Sequence, residues 1–337
     1  MRKKLTPLMV VALLCAIFAT AVHSQTTHPG IALYREGKNA EAIASLSSAI
    51  KSKEYKNNAE VWNYLGLAQA RSSDAKNARK SLEKAVKLSP ADAPIRANLA
   101  YIYLRLGQES KARSMAEKVI ALDPKNLSAY YLRGSSRLRE NKIDGAQADV
   151  DTMIAIDPSS PHGYVLASQV SLEKVAQAVA MDSSSGNELQ HLQRGIDLLK
   201  SGSSNCKEVI SCDAINSELA DLHLYYEHFS KKKSSQPTPT AEPTPTDPNV
   251  TPLKITTKPR PAYTDTARSK NVQGTIVLLV LFRSDGRIGR PLALKRLGSG
   301  LDESAFRAAS AIRFEPKRIN GKPVSVVRPV EFSFAIY

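Results

Sequence analysis

The 337-residue chain is long enough for two or three domains; with 42% hydrophobic and only 6% aromatic side chains it can fill at least one core and leans towards helices packed through Ala and Leu. Its net charge is +15, and residues 251–337 hold 16 Lys and Arg against 6 Asp and Glu, a surplus of 10. A basic surplus suits nucleic acid, an anionic membrane surface or an acidic partner, but the basic residues are not interleaved with stacking aromatics, which argues against a nucleic-acid reader.

The N-terminus sets the compartment. Arg2, Lys3 and Lys4 precede an apolar run from Leu8 to Val22, followed by the small-residue patterns Ala19-Thr20-Ala21 and Val22-His23-Ser24. This three-part layout is that of a secretory signal over residues 1–24; the run is shorter than the ~20 residues that span a bilayer. Residues 1–24 are therefore expected to direct export. The alternative is that the segment stays uncleaved and anchors the chain. Cys15 is not a lipoprotein cysteine, because Leu14 stands where a small residue is required.

A 34-residue period then governs residues 26–160. Pro90, Pro124 and Pro158 share one register; Ala78, Ala112 and Ala146 share another; Gly66, Ala100 and Gly134 share a third. Each unit reads helix, short turn, helix and closing proline, with small residues where two helices cross and Trp62, Leu65 and Leu82 in the seam. A repeat of this length and build resembles the tetratricopeptide family, and four copies fit. Arg35, Arg71, Arg105 and Arg139 recur five residues after the small residue. In that family this position tends to face the concave groove, so the four cations, with Tyr101 and Tyr131, are candidate contacts for an acidic peptide or terminal carboxylate. A plainer role competes: each Arg lies in the last turn of its first helix, where a cation is favoured by ~0.3–1 kcal/mol.

Residues 161–231 lose the period and predict three further helices, near 162–181, 186–201 and 212–231, as a cap for the solenoid. Cys206 and Cys212 are expected to form a disulfide in an oxidising compartment. A metal site there lacks a suitably spaced histidine pair. Residues 232–261 carry eight prolines from Pro237 to Pro261 and predict a disordered, extended spacer, with a reach of ~75–80 Å at ~3.1 Å per residue.

Residues 262–337 predict a small α+β domain of order β-β-α-β. Thr275–Phe282 is a β-branched, apolar strand, and Ser284-Asp285-Gly286 is a hairpin turn. Ile288–Leu297 is a second strand, Leu301–Ile312 a helix, Asn320-Gly321 a tight turn and Val324–Ile336 an alternating last strand. The first strand is apolar on both faces, so its second face calls for a homodimer or for docking against the rest of the chain.

In order, Tyr263, Ala267, Gln273-Gly274, Asp285-Gly286, Gly298-Ser299-Gly300, Leu301-Asp302, Arg313-Phe314-Glu315-Pro316 and Asn320-Gly321-Lys322-Pro323-Val324 resemble the TonB C-terminal domain end to end. Thr264 and Ile312 depart from it, standing where the family commonly has proline and tryptophan. The resemblance implies a multidomain envelope adaptor that pairs an edge strand with a peptide of an outer-membrane transporter or other envelope protein and couples to an inner-membrane motor. Strand addition is the physical basis, and Pro329 places the last strand at an edge because proline cannot donate to a central ladder. The candidate docking residues are Val326, Arg328, Pro329, Val330, Glu331 and Phe332. No phosphate loop, nucleophile elbow or metalloprotease helix is present. No catalytic residue, metal or cofactor is assigned, and the expected partners are proteins. The alternative is a non-energised periplasmic scaffold whose C-terminal domain dimerises.

Overall fold

The computed structural model describes residues 28–180, 187–207, 209–234 and 249–336. The signal-like segment 1–24 and the proline stretch 235–248 lie outside them. The chain divides into two compact units, residues up to Leu166 and residues from Ala167 onward. Among the described residues no helix is long and apolar enough to cross a membrane.

The first unit is four antiparallel helix pairs. They are α1 (Pro29–Arg35) with α2 (Asn39–Ala49), α3 (Ala59–Arg71) with α4 (Ala75–Leu88), α5 (Ala93–Arg105) with α6 (Glu109–Leu122), and α7 (Leu127–Arg139) with α8 (Ile143–Ile156). Their starts are written in the sequence. Asn58, Asp92 and Asn126 accept from the backbone N–H three residues on, at 3.0, 2.8 and 3.0 Å, satisfying donors that a helix N-terminus leaves open. Within each pair the turn needs one left-handed residue, and it falls at one repeat position: Gly37 (φ 80°), Ser73 (φ 65°), Gly107 (φ 68°) and Asn141 (φ 58°). Gly66 marks the close crossing: a Cβ there would stand 2.6 Å from Leu82 Cγ, so the small-residue register is a packing requirement.

The second unit contains the remainder of α9 (Pro161–Ala180), then α10 (Asn187–Asn205), α11 (Val209–Ser234) and the C-terminal sheet domain. The helices expected to cap the repeats thus group mainly with the sheet. Cys206 and Cys212 are disulfide-bonded, with 5.6 Å between their Cα atoms, joining the end of α10 to the first turn of α11.

The domain begins earlier than the sequence suggests. Val250–Thr251 (β1) and Lys254–Thr257 (β2), inside the stretch assigned to the spacer, pair antiparallel with Arg318–Ile319 (β6) and Arg313–Glu315 (β5). The correction has a plain cause: Val250, Thr251, Ile255, Thr256 and Thr257 are β-formers sitting among prolines that mask them. The main sheet has order β4-β3-β8, from β3 (Gly274–Phe282), β4 (Leu292–Lys295) and β8 (Val326–Phe334). A short helix α12 (Asp265–Ser269) precedes it. Asn320 (φ 51°) and Gly321 (φ 75°) turn β6 into β7 (Lys322–Pro323), the conformation a two-residue hairpin requires.

Alternation decides the faces of β3. Ile276, Leu278, Val280 and Phe282 pack against Leu301, Ala305 and Ala309 of α13 (Leu301–Ser310), with Ile312, Val330, Phe332 and Phe334. Ile312 occupies the family's tryptophan position as a buried core residue. Thr264 caps α12 through Ala267 N at 3.1 Å and donates to the Ser299 carbonyl at 2.6 Å, tying the entry loop to the turn before α13.

Candidate functional site

β8 pairs with β3 over its whole length, from Gly274↔Phe334 to Phe282↔Val326, and has no strand on its other side among the described residues. In an antiparallel ladder alternate residues turn their N–H and C=O towards, then away from, a given neighbour. Three observations fix the phase. The Leu281 carbonyl faces the β4 side, accepting from Gly289 N at 2.9 Å. Pro329, opposite Leu279, has no N–H to give to β3. The Glu331 carbonyl, opposite Val277, accepts instead from Lys258 Nζ at 2.7 Å. Val327, Pro329, Glu331 and Ser333 therefore present their backbone to the open edge, and Val326, Arg328, Val330, Phe332 and Phe334 bond β3.

The sequence-derived set divides accordingly. Pro329 and Glu331 are exposed and edge-facing, whereas Val330 and Phe332 are buried in the core with their backbone turned to β3. Val326 and Arg328 also bond inward. Val327 and Ser333 belong to the edge and were missed; the alternation of Val330, Phe332 and Phe334 could have identified them, since core-facing residues and edge-facing amides have opposite parity here. The edge offers four acceptors but only three donors, because Pro329 interrupts the row. Its unbroken part is Glu331 to Ser333.

The second face of β3 is filled by the chain itself. Leu279 and Leu281 are buried, and α11 packs across β3 and β8 with Leu222 and Tyr225 fully buried. Charged groups fix this packing. Arg283 bonds the Asp221 carboxylate through Nε at 2.7 Å and the Ser217 carbonyl through Nη2 at 2.8 Å. Arg290 reaches Glu218 at 3.0 Å, and Arg296 reaches Glu173 at 2.5 Å. Burial pushes the Asp221 carboxyl up, with Arg283 offsetting part of that. At Glu218 burial acts in the same sense but is outweighed by Arg290 and Ser168, so that carboxyl is held below its usual range.

In the repeats the arginines form a chain of contacts. Arg71 Nη1 donates to the Tyr34 carbonyl at 3.1 Å, Arg105 to Ala70 at 2.9 Å and Arg139 to Leu104 at 2.6 Å. Each acceptor lies in the last turn of the first helix of the preceding repeat, immediately before that repeat's own arginine. The guanidinium thus satisfies a helix C-terminus one repeat away. Arg35, in the first described repeat, meets the Tyr64 hydroxyl at 3.4 Å. Tyr131 stands edge-on to His162 with centroids 6.0 Å apart, and Tyr101 packs against the buried cluster around Leu99 and Tyr103. A guanidinium has five donors, so the staple leaves each with further capacity. Among the described residues no group of His, Cys, Asp and Glu is arranged to hold a metal ion.

Two family models match this chain: the cytochrome c-type biogenesis protein H TPR domain over residues 35–162 and the Gram-negative bacterial TonB protein C-terminal over residues 259–336. Among solved structures, MamA (41-end) from Desulfovibrio magneticus RS-1 is 19% identical, covering 56% of this chain and 96% of that one at a TM-score of 0.44. The Arabidopsis OM64 TPR domain is 26% identical, covering 33% and 93% at 0.32. The first TPR of Spaghetti (RPAP3), bound to an HSP90 peptide, is 23% identical, covering 31% and 83% at 0.31. No curated protein matches. The chain therefore joins a tetratricopeptide domain to a TonB C-terminal domain.

Proposed function

We propose that this TonB-type protein with N-terminal tetratricopeptide repeats is an exported envelope adaptor that holds an extended segment of an outer-membrane or other envelope protein on the edge of β8. The repeats would bind a second protein. The observation that carries this reading is the open β8 edge, with its backbone groups at Val327, Pro329, Glu331 and Ser333 directed outward. Main-chain bonding to such an edge supplies affinity, and the side chains alongside it supply selectivity. Binding is the activity this reading assigns to both domains.

The signal-like N-terminus supports placement in the periplasm, and retention of residues 1–24 would place the chain at the inner membrane, within reach of a motor. The apolar second face of β3 is occupied by α11, which removes the packing argument for a dimer through that face. The test is photo-crosslinking from a benzoylphenylalanine at Ser333 in intact cells, alongside the same probe at exposed Lys295 on β4. Ser333-specific adducts with one envelope protein are expected. Equal labelling from both sites, or none from Ser333, would sink edge docking. N-terminal sequencing of the mature protein separates adaptor from motor-coupled anchor: a start after residue 21 or 24 removes direct coupling.

A further inference from the structure

We propose that Lys258 is the specificity-determining gate of the β8 edge, favouring an extended peptide that brings a carboxylate opposite Phe332, on the sheet face where the Lys258 ammonium lies and away from the Glu331 carboxylate. The proposal rests on the edge-docking reading above and names the chemistry of the occupant.

Lys258 follows β2, whose pairing with β5 fixes the chain at Thr257 opposite Arg313. From there its ammonium donates to the Glu331 carbonyl at 2.7 Å and lies 5.0 Å from the centroid of the Phe332 ring. Glu331 is the first residue of the unbroken part of the edge, so the ammonium caps the acceptor that an added strand needs. Both residues are exposed, and a solvent-exposed hydrogen bond exchanges readily with water. Blocking an open edge with a lysine also protects it from indiscriminate pairing.

An arriving strand takes the Glu331 carbonyl with its own N–H, and Lys258 loses that acceptor. An ammonium has three donors and no acceptor function, and its attraction to the Phe332 face keeps it beside the edge. A carboxylate on the arriving strand gives it a charge-assisted partner. A neutral side chain leaves the displaced ammonium to water, and a cationic one adds repulsion beside a domain that already carries a surplus of 10 positive charges. The same lysine therefore resists neutral and basic strands and admits acidic ones.

The experiment is selection of a displayed library of random ten-residue peptides on the full chain, on Lys258→Glu and on Ser333→Pro. The last removes an outward N–H and leaves the backbone ladder to β3 in place, at the loss of the exposed Thr275–Ser333 hydroxyl contact; selected peptides N-methylated at alternate amides repeat that test from the ligand side. Expected is an acidic consensus position on the native chain that becomes basic on Lys258→Glu. The selected acidic peptide should outbind its Gln counterpart at least five-fold, a margin that vanishes in Lys258→Ala, and N-methylation should abolish binding. An edge-dependent consensus whose charge preference is unchanged by Lys258→Glu overturns the gate and leaves edge docking intact. A failure to select any peptide sensitive to Ser333→Pro or to N-methylation overturns both, and β8-to-β8 self-pairing in place of peptide binding does the same.

Discussion

The Tyr225 hydroxyl stands 3.0 Å from the Leu279 carbonyl and 2.7 Å from the Arg290 carbonyl, a phenol of α11 donating into the backbone of β3 and of the segment leading to β4. Its ring is fully buried, so apolar burial and a polar tether coincide in one side chain. Burial also raises the hydroxyl well above the ordinary tyrosine range, keeping it a donor. Tyr225→Phe should cost ~1–3 kcal/mol by leaving buried acceptors short of a donor, and Tyr225→Ala ~3–5 kcal/mol through the added cavity. Chemical denaturation of the full chain, followed on the transition of the sheet domain, measures both. A Phe variant indistinguishable from the native chain would mean the tether contributes nothing.

Asp221 and Arg283 should behave as a buried pair, with side chains only 6% and 12% exposed. Removing one partner strands the other. Asp221→Ala is expected to destabilise the second unit by ~3–5 kcal/mol, and Arg283→Met combined with Asp221→Leu much less, because replacing both ions by apolar groups avoids the stranded charge. A double-mutant cycle reads the coupling. Additive losses would show that the two side chains act independently.

Where the sequence was legible, one element alone contained the signal. The 34-residue register, the caps at Asn58, Asp92 and Asn126, the Asn320-Gly321 turn and the alternation of Val330, Phe332 and Phe334 are local patterns that residue types specify directly. The edge position of β8 was legible through one residue, Pro329, because a missing N–H is a local fact with a non-local consequence. What stayed hidden depends on pairing across sequence distance. The apolar second face of β3 announced that something covers it, but nothing in Leu279 or Leu281 named Tyr225, 54 positions away. Asp221 and Glu218 are acidic positions of a helix whose partners, Arg283 and Arg290, lie 62 and 72 positions away. Lys258 sat in a proline-rich stretch and was counted as spacer, although it is the side chain that touches the docking edge. The spacer itself changes meaning, since the elements on both sides of residues 235–248 belong to one unit.

The arginine staples predict additive losses along the repeats. Arg105→Ala removes the bond to the Ala70 carbonyl and should cost ~0.5–1.5 kcal/mol; Arg71→Ala and Arg139→Ala should each cost about the same, and the triple variant close to the sum in a linear array. Urea unfolding of residues 28–166 within the full chain, followed by Trp62 fluorescence, measures this. If affinity for an acidic partner falls while stability holds, the ladder is a groove and the staple is incidental. If stability falls with affinity intact, the staple is its whole role.

Tyr103 supplies a pH prediction for the repeats. Burial, aided by its hydrogen bond to Glu83 at 2.9 Å, pushes its hydroxyl up to about 12 from 10.0. A group whose folded value lies above its unfolded one binds its proton more tightly in the folded state. The stabilisation is therefore fully present below the unfolded value and lost as pH rises through the folded one. The window here is pH 10 to 12. Ultraviolet titration of the phenolates should show Tyr103 ionising near the top of that window, and Tyr103→Phe should delete that step from the profile. Glu83→Gln weakens the pairing and should move the step downward without abolishing it, because burial remains the larger cause. A Tyr103 step near pH 10 in the folded native chain would show that its ring is wetter than its 6% exposure implies.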